Sequence, residues 1–153
     1  MNHKKSGFTL IELLVVIAII GILAAIVLAS LNTARAKAAD ATIKSDLDAI
    51  RKQVTLYQST NENYGDDVTD CASGMFTADT TIVNAVAQIT TQGSTATCIT
   101  DDGDPAVGTA ATSYAVSAPF KSDPTQIWCV DSSGFSGLGV ADNTTNANVA
   151  ECH

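Results

Sequence analysis

The residues with chemistry to offer are few and sit near the start of the chain. Residues 7–31 read GFTLIELLVVIAIIGILAAIVLASL, without proline and with one charge, Glu12. All other residues in this run are apolar or small. An ionisable side chain in such a segment is costly and calls for a partner of opposite sign. Other reactive constellations are missing from the sequence. His3 is close to the start and His153 is the last residue, so neither is placed to serve a serine or cysteine nucleophile. There is no phosphate-binding G-x-x-x-x-G-K-[ST] loop and no H-E-x-x-H. The many Asp residues fall in turn-like segments, where Asp commonly bonds its own backbone. Neither an enzyme nor a cofactor is expected.

The element that positions Glu12 is a long helix. The residues from Phe8 to Leu31 would span about 36 Å as an α-helix, enough to cross a bilayer core of about 30 Å with some tilt. Residues 32–59 continue without a breaker, and Ala36, Ala39, Ile43, Leu47, Ile50, Val54 and Tyr57 recur in steps of three and four. That spacing marks one narrow apolar stripe. Asp40 with Lys44, and Asp48 with Lys52, stand four apart in the favourable acid-first order and are expected to pair on the wet side. One helix from about Phe8 to about Thr60 follows, about 80 Å long, its second half laying the stripe on a head domain. A free coiled coil competes, weakened by a stripe of only about three heptads that begins on small Ala residues. With no proline in the helix, any kink would rest on Gly21.

Lys4-Lys5-Ser6-Gly7 followed by Phe8-Thr9-Leu10-Ile11-Glu12 and a long apolar run resembles the N-terminus of a type IV pilin precursor, a signature shared with the pseudopilins of type II secretion systems and competence filaments. The resemblance covers roughly the first sixty residues. It implies a basic leader (residues 1–7), cleavage between Gly7 and Phe8 by a membrane-embedded prepilin peptidase, N-methylation of the new Phe8 amine, and Glu12 as the assembly carboxylate. It also implies the pilin fold, self-assembly as a homopolymer, and an inner-membrane platform with a cytoplasmic ATPase to drive it.

Physical chemistry gives those residues a matching logic. A cut after Gly7 would expose an amine on Phe8 that is largely cationic at neutral pH. Within one helix Glu12 lies four residues on from Phe8, and the helix dipole favours a carboxylate in the first turn. When a subunit docks on a growing filament, its Glu12 would instead meet the Phe8 amine of the previous copy. The two charges would cancel at one axial offset only, which makes the pair a register device where apolar packing fixes little. A plain single-span anchor also needs these apolar residues. A cleaved signal peptide fits less well, because its apolar core is shorter.

Only one modest globular domain fits in the remainder of a chain of 153 residues. Beyond Thr60 there are twelve Asp or Glu against Lys121 alone, a charge of -11. Such a surface repels phosphate, so direct nucleic-acid binding is disfavoured. Cys71, Cys98, Cys129 and Cys152 all fall in this head, where an even number suggests two disulfides in an oxidising compartment. Sequence alone allows three pairings. Cys71 with Cys98 and Cys129 with Cys152 is favoured, since the final cysteine would then tie the tail down; four free thiols are the alternative. No C-x-x-C and no intervening histidine point to zinc. Lys4 and Lys5 before the span are nearly balanced by Arg35 and Lys37 after it, so basic residues do not orient the chain. Oxidised cysteines would put the head outside, on the far side of the inner membrane from the leader.

The head reads as a helix followed by strands. Residues 61–74 are turn-rich. Residues 78–92 place Ile82, Val86 and Ile89 at helical spacing with Asp79 as an N-cap. A brief strand at Cys98 and Ile99 interrupts a loop over residues 93–108. There Asp101-Asp102-Gly103-Asp104 resembles a fragment of a calcium loop, although Ca²⁺ wants six to eight oxygens and no bidentate Glu follows, so a tight turn is preferred. Residues 114–120 alternate and residues 126–130 carry the β-formers Ile127, Trp128 and Val130, so the two are expected to form a β-hairpin, with a third strand over residues 135–140. The last dozen residues are expected to be irregular and held mainly by Cys152. Asn143-Thr144-Thr145 fits the N-glycosylation pattern.

The expected architecture is α+β: a leader (1–7), an apolar helix (8–31), its amphipathic continuation (32–60), and a head with a small antiparallel sheet (61–153). The expected function is a structural subunit, stored in the membrane and polymerising through its N-terminal helix into a cell-surface filament. The alternatives are a pseudopilin forming a short periplasmic fibre, and a single-span anchored binding module.

Overall fold

The computed structural model describes residues 7–103, 110–142 and 150–153. The chain forms two compact units, Met1–Arg35 and Ala36–His153. Helix α1, Leu10–Asn61, contributes to both. In the first unit its large side chains are exposed all round, with Leu10 at 88% and Leu28 at 61%. Its most apolar 18-residue window has a mean hydropathy of 3.1, long and apolar enough to cross a membrane.

In the second unit α1 becomes one-sided. Ile43, Leu47, Ile50 and Val54 of the expected stripe are fully buried, and Tyr57 packs on their edge. The helix ends where Glu62 takes a positive φ of 65°. Helix α2, Met75–Ala78, inserts Met75 and Phe76 into the same core; its four residues were too short a signal to read from the sequence. Asp79 then caps α3, Thr80–Thr91: one carboxylate oxygen accepts from Thr81 N at 2.8 Å and Ile82 N at 3.1 Å, and the other from α1's Gln53 Nε2 at 2.8 Å. Ile82, Ala85 and Ile89 point inward from α3, in place of the expected Ile82, Val86 and Ile89. Val86 is only partly buried at the margin.

Strands β1 (Thr97–Asp101), β2 (Ser113–Pro119), β3 (Ile127–Asp131) and β4 (Ser136–Leu138) form one antiparallel sheet in that order. Cys98 stands opposite Val116, and Val116 opposite Val130. These residues, with Tyr114 and Ala118, face the helices. Ile99, Ala115 and Cys129, one residue out of phase, face the other way and join Ala141 and Ala150 in a second small core. Both faces of β2 are therefore covered.

The described residues of the C-terminal segment, 141–142 and 150–153, are not irregular as expected. β5 (Ala141–Asp142) pairs with β6 (Glu151–Cys152), and Val140 and His153 exchange backbone bonds at 2.8 and 3.1 Å. Ser117 Oγ accepts from Ala141 N at 3.1 Å, Ser113 Oγ from Ala150 N at 2.9 Å, and Asp131 from Cys152 N at 3.0 Å. Cys152 is thus one anchor among several. Ser113 and Ser117 alternate with apolar residues as a wet face would, but they are small enough to admit a covering strap and supply the acceptors it needs. The sequon at Asn143 lies outside the described residues.

Neither expected i,i+4 ion pair forms among the described residues. Both oxygens of Asp40 are taken by the β2–β3 loop: one accepts from Lys121 N at 2.6 Å and Ser122 N at 3.1 Å, the other from Ser122 Oγ. Lys44 Nζ sits 4.3 Å from the Trp128 ring centre and 4.9 Å from that of Phe120. Asp48 reaches Arg51 at 3.5 Å and Ser136 Oγ at 3.3 Å. Partners from the head thus take Asp40 and Lys44, whereas Asp48 keeps an intrahelical partner in Arg51 beside Ser136.

Candidate functional site

Three sets of residues carry the chemistry read from the sequence, two of them in the head and one at the start of α1. The disulfides lie in the head, where Cys71 is bonded to Cys98 and Cys129 to Cys152. The first links the loop before α2 to β1, and the second fastens the C-terminal segment to β3. No described cysteine is free.

The acidic set forms around β1. Carboxylate oxygens of Asp67, Asp101 and Asp102 all lie within 4.8 Å of one another. Burial, followed by the charges of Asp101 and Asp102, pushes the Asp67 carboxyl up from its ordinary value. Asp101 also accepts from Gly103 N at 2.8 Å, and Gly103 has a φ of 87°, so Asp101 to Gly103 form a tight turn of the kind Asp and Gly favour. Asp104 lies outside the described residues. Each of the three could offer an oxygen to a cation, and Ca²⁺ takes six to eight from carboxylates, backbone carbonyls and water together.

The third set is the start of α1. A Cβ on Gly7 would meet nothing within 4 Å, and Phe8 is 84% exposed. Glu12 lies in the first turn of α1. Its Oε2 accepts two bonds from Thr9, from the backbone N and from Oγ1, each at 2.8 Å. Glu12 N in turn donates to Thr9 Oγ1 at 3.3 Å. This is a reciprocal capping box, which satisfies donors that a helix start leaves without partners. Within its own chain Glu12 is thus held by Thr9, a residue the sequence reading passed over in favour of Phe8. The signal was present, since Thr9-Leu10-Ile11-Glu12 immediately precedes the apolar run.

Around this cap Leu10, Ile11, Leu13 and Leu14 are all exposed.

The comparisons with known proteins converge on this same end. Residues 2–28 match the family model described as the prokaryotic N-terminal methylation motif. The type IV wide pilus major component PilA4 of Thermus thermophilus is 47% identical over 64 residues, covering 42% of this chain and 48% of that protein. The type II secretion system core protein G of Dickeya chrysanthemi is 38% identical over 64 residues, 42% of this chain and 42% of its own length. The type IV major pilin protein PilA of Myxococcus xanthus is 38% identical over 65 residues, 42% of this chain and 30% of its own. The aligned part thus spans less than half the length of each of these relatives. No solved structure matches the chain. The chain thus carries the prokaryotic N-terminal methylation motif at its start, followed by a long apolar helix and a small antiparallel sheet, and its N-terminal part is similar to both type IV pilins and type II secretion pseudopilins.

Proposed function

We propose that this chain is a structural subunit that polymerises through the first part of α1 into a cell-surface filament, and that it catalyses no reaction. The observation that carries the reading is Glu12, the one charge between Gly7 and Leu31, on a helix whose apolar side chains find no cover in their own chain. Before assembly the bilayer covers them; in the filament the same segment of other copies does. Cutting after Gly7 by a prepilin peptidase creates the Phe8 amine, which methylation leaves able to carry a proton. That cation meets Glu12 of the next copy and fixes the axial register of the polymer. An inner-membrane platform and its ATPase supply the work of extraction. The head, stapled by two disulfides and strongly acidic, stays on the outer side of the membrane and forms the filament surface.

Relatives of both kinds support a second reading, a pseudopilin building a short periplasmic fibre with the same chemistry at Gly7, Phe8 and Glu12. The length of purified fibres separates the two. For the shared reading the test is the mass of the mature N-terminus together with the fate of Glu12→Gln. We expect a chain that begins at a methylated Phe8 and a variant that enters the membrane but is lost from sheared fibres. A chain that begins at Met1, or wild-type levels of Glu12→Gln in fibres, would refute it and leave a tethered domain.

A further inference from the structure

We propose that the head binds a small organic carboxylate in the cleft between α1 and the end of β3, with Arg51, Lys52, Tyr64 and Tyr114 as its donors. The site lies wholly within the head, so it does not depend on the filament reading above. The cleft has a volume of about 180 Å³ and is lined by Arg51 and Lys52 of α1, Tyr64 of the loop that follows, Tyr114 of β2, and Asp131 and Ser132 where β3 ends. Tyr64 and Tyr114 pack ring against ring, their centres 5.2 Å apart, and among the described residues neither hydroxyl is hydrogen-bonded. Lys52 has no ion pair among them either. Arg51 comes no closer to Asp48 than 3.5 Å, and its Nε is buried without a partner.

The acceptor of the cleft, by contrast, is fully engaged. Asp131 Oδ1 accepts from Ser133 N at 2.9 Å, Ser133 Oγ at 2.6 Å and Phe135 N at 3.2 Å, and Oδ2 accepts from Cys152 N at 3.0 Å. Burial above all pushes the Tyr114 hydroxyl up from its ordinary value, so it keeps its proton to donate at neutral pH. Donors in so enclosed a place ordinarily have acceptors, since leaving them without one is costly. Two cations and two hydroxyls around one small space match an oxyanion that the chain itself does not supply. Size and charge narrow it further. At about 30 Å³ per water the cleft holds about six waters, room for a carboxylate on a short stem and too little for a drug-sized ligand. The head carries a charge of -11 beyond Thr60, which opposes a doubly charged phosphate more than a singly charged carboxylate. The tyrosine rings offer apolar surface to the stem.

The test uses the full chain in detergent, titrated with sodium acetate at an ionic strength held constant with chloride, and reads the Nε–H resonances of the arginine side chains. Arg35 and Arg51 are the two arginines of the sequence, so Arg35 reports the effect of bulk salt in the same spectrum. The Arg51 resonance should shift and saturate while that of Arg35 stays in place. Tyr64→Phe should weaken acetate binding about tenfold, the scale of one hydrogen bond to a charged group. Lys52→Gln should weaken it about threefold, as suits an exposed charge. Lys37→Gln, which removes the same charge outside the cleft, should leave binding unchanged, and inorganic phosphate should bind more weakly than acetate. The remaining resonances of the head show that each variant is folded. An Arg51 shift that never saturates or moves in step with Arg35, full binding by both Tyr64→Phe and Lys52→Gln, equal loss in Lys37→Gln, or tighter binding of phosphate would each overturn the carboxylate site.

Discussion

Two stretches of the same helix meet opposite fates. Between Phe8 and Leu31 the large apolar side chains of α1 are exposed, whereas Ile43, Leu47, Ile50 and Val54 have no exposed surface at all. The difference lies in pattern more than in hydrophobicity. The second stretch confines its apolar residues to a stripe that one sheet and two short helices can cover. The first is apolar on every side, and a helix of that kind requires cover all round, from lipid or from other copies of itself. One stretch is stabilised within the chain and the other between chains, so substitutions in the two should be read by different measurements.

The largest effect expected from that contrast is Leu47→Ala against Leu23→Ala in the full chain held in detergent. Truncating fully buried Leu47 should destabilise the head by about 2–5 kcal/mol through lost transfer energy and the cavity left behind. Leu23, 57% exposed, should leave the head's denaturation midpoint unchanged while altering fibre yield. Denaturant titration followed by the near-ultraviolet signal of Trp128 measures the first. Equal shifts in the midpoint would show that the two stretches do not fold as separate accounts.

How far such contrasts were legible in the sequence follows the range of the interactions. The stripe on α1, the Asp79 cap and strands β2 and β3 rest on spacing within a few residues, and the structure has them where that spacing puts them. Thr9 was legible too, as the first member of a Thr-x-x-Glu box, but the apolar run drew the reading toward Phe8. What was not legible is what depends on distant partners. Asp40 turns to the β2–β3 loop instead of Lys44, and Ser113 and Ser117 bond a strap lying more than twenty residues further along the chain. A sequence shows which donors and acceptors a segment has, but not which of them a later segment will arrive to meet.

The strap supplies the next test. Replacing Cys129 and Cys152 by Ser removes a cross-link between residues 23 apart, worth about 3 kcal/mol in the loop-closure picture. The backbone bonds of Ser113, Ser117 and Asp131 should still hold the strap in part, so the thermal unfolding of the variant should remain cooperative, at a lower temperature. A smaller loss, about 1 kcal/mol, is expected for Asp40→Ala, which frees the amides of Lys121 and Ser122 at the surface. Amide hydrogen exchange should locate that loss in the β2–β3 loop, with the exposed stretch of α1 unaffected.

The smallest effects, and the ones that discriminate best within the head, come from two carboxylates moved in opposite directions. Burial alone would raise Asp79, but bonds from Gln53, Ile82 and Thr81 outweigh it and hold the group below the usual carboxylate range. Its folded value is the lower one, so its contribution is present above the unfolded value, about 3.9, and is lost as pH falls through the folded value. Asp79→Ala should therefore cost about 1 kcal/mol near pH 7, as helix caps do, and progressively less below pH 4. Asp67 is the reverse: burial and the charges of Asp101 and Asp102 raise it. The folded head then binds the proton of Asp67 more tightly than the unfolded chain does, and a penalty appears as pH rises through the unfolded value. Asp67→Asn should relieve that penalty at pH 7, raising the midpoint of denaturation, and should have no such effect in acid. Matched titrations of the two variants from pH 3 to pH 7 should diverge with opposite signs. If both curves moved the same way, bonds from Gln53 and α3 would not be what sets Asp79 apart, and bulk repulsion across an acidic head would account for both.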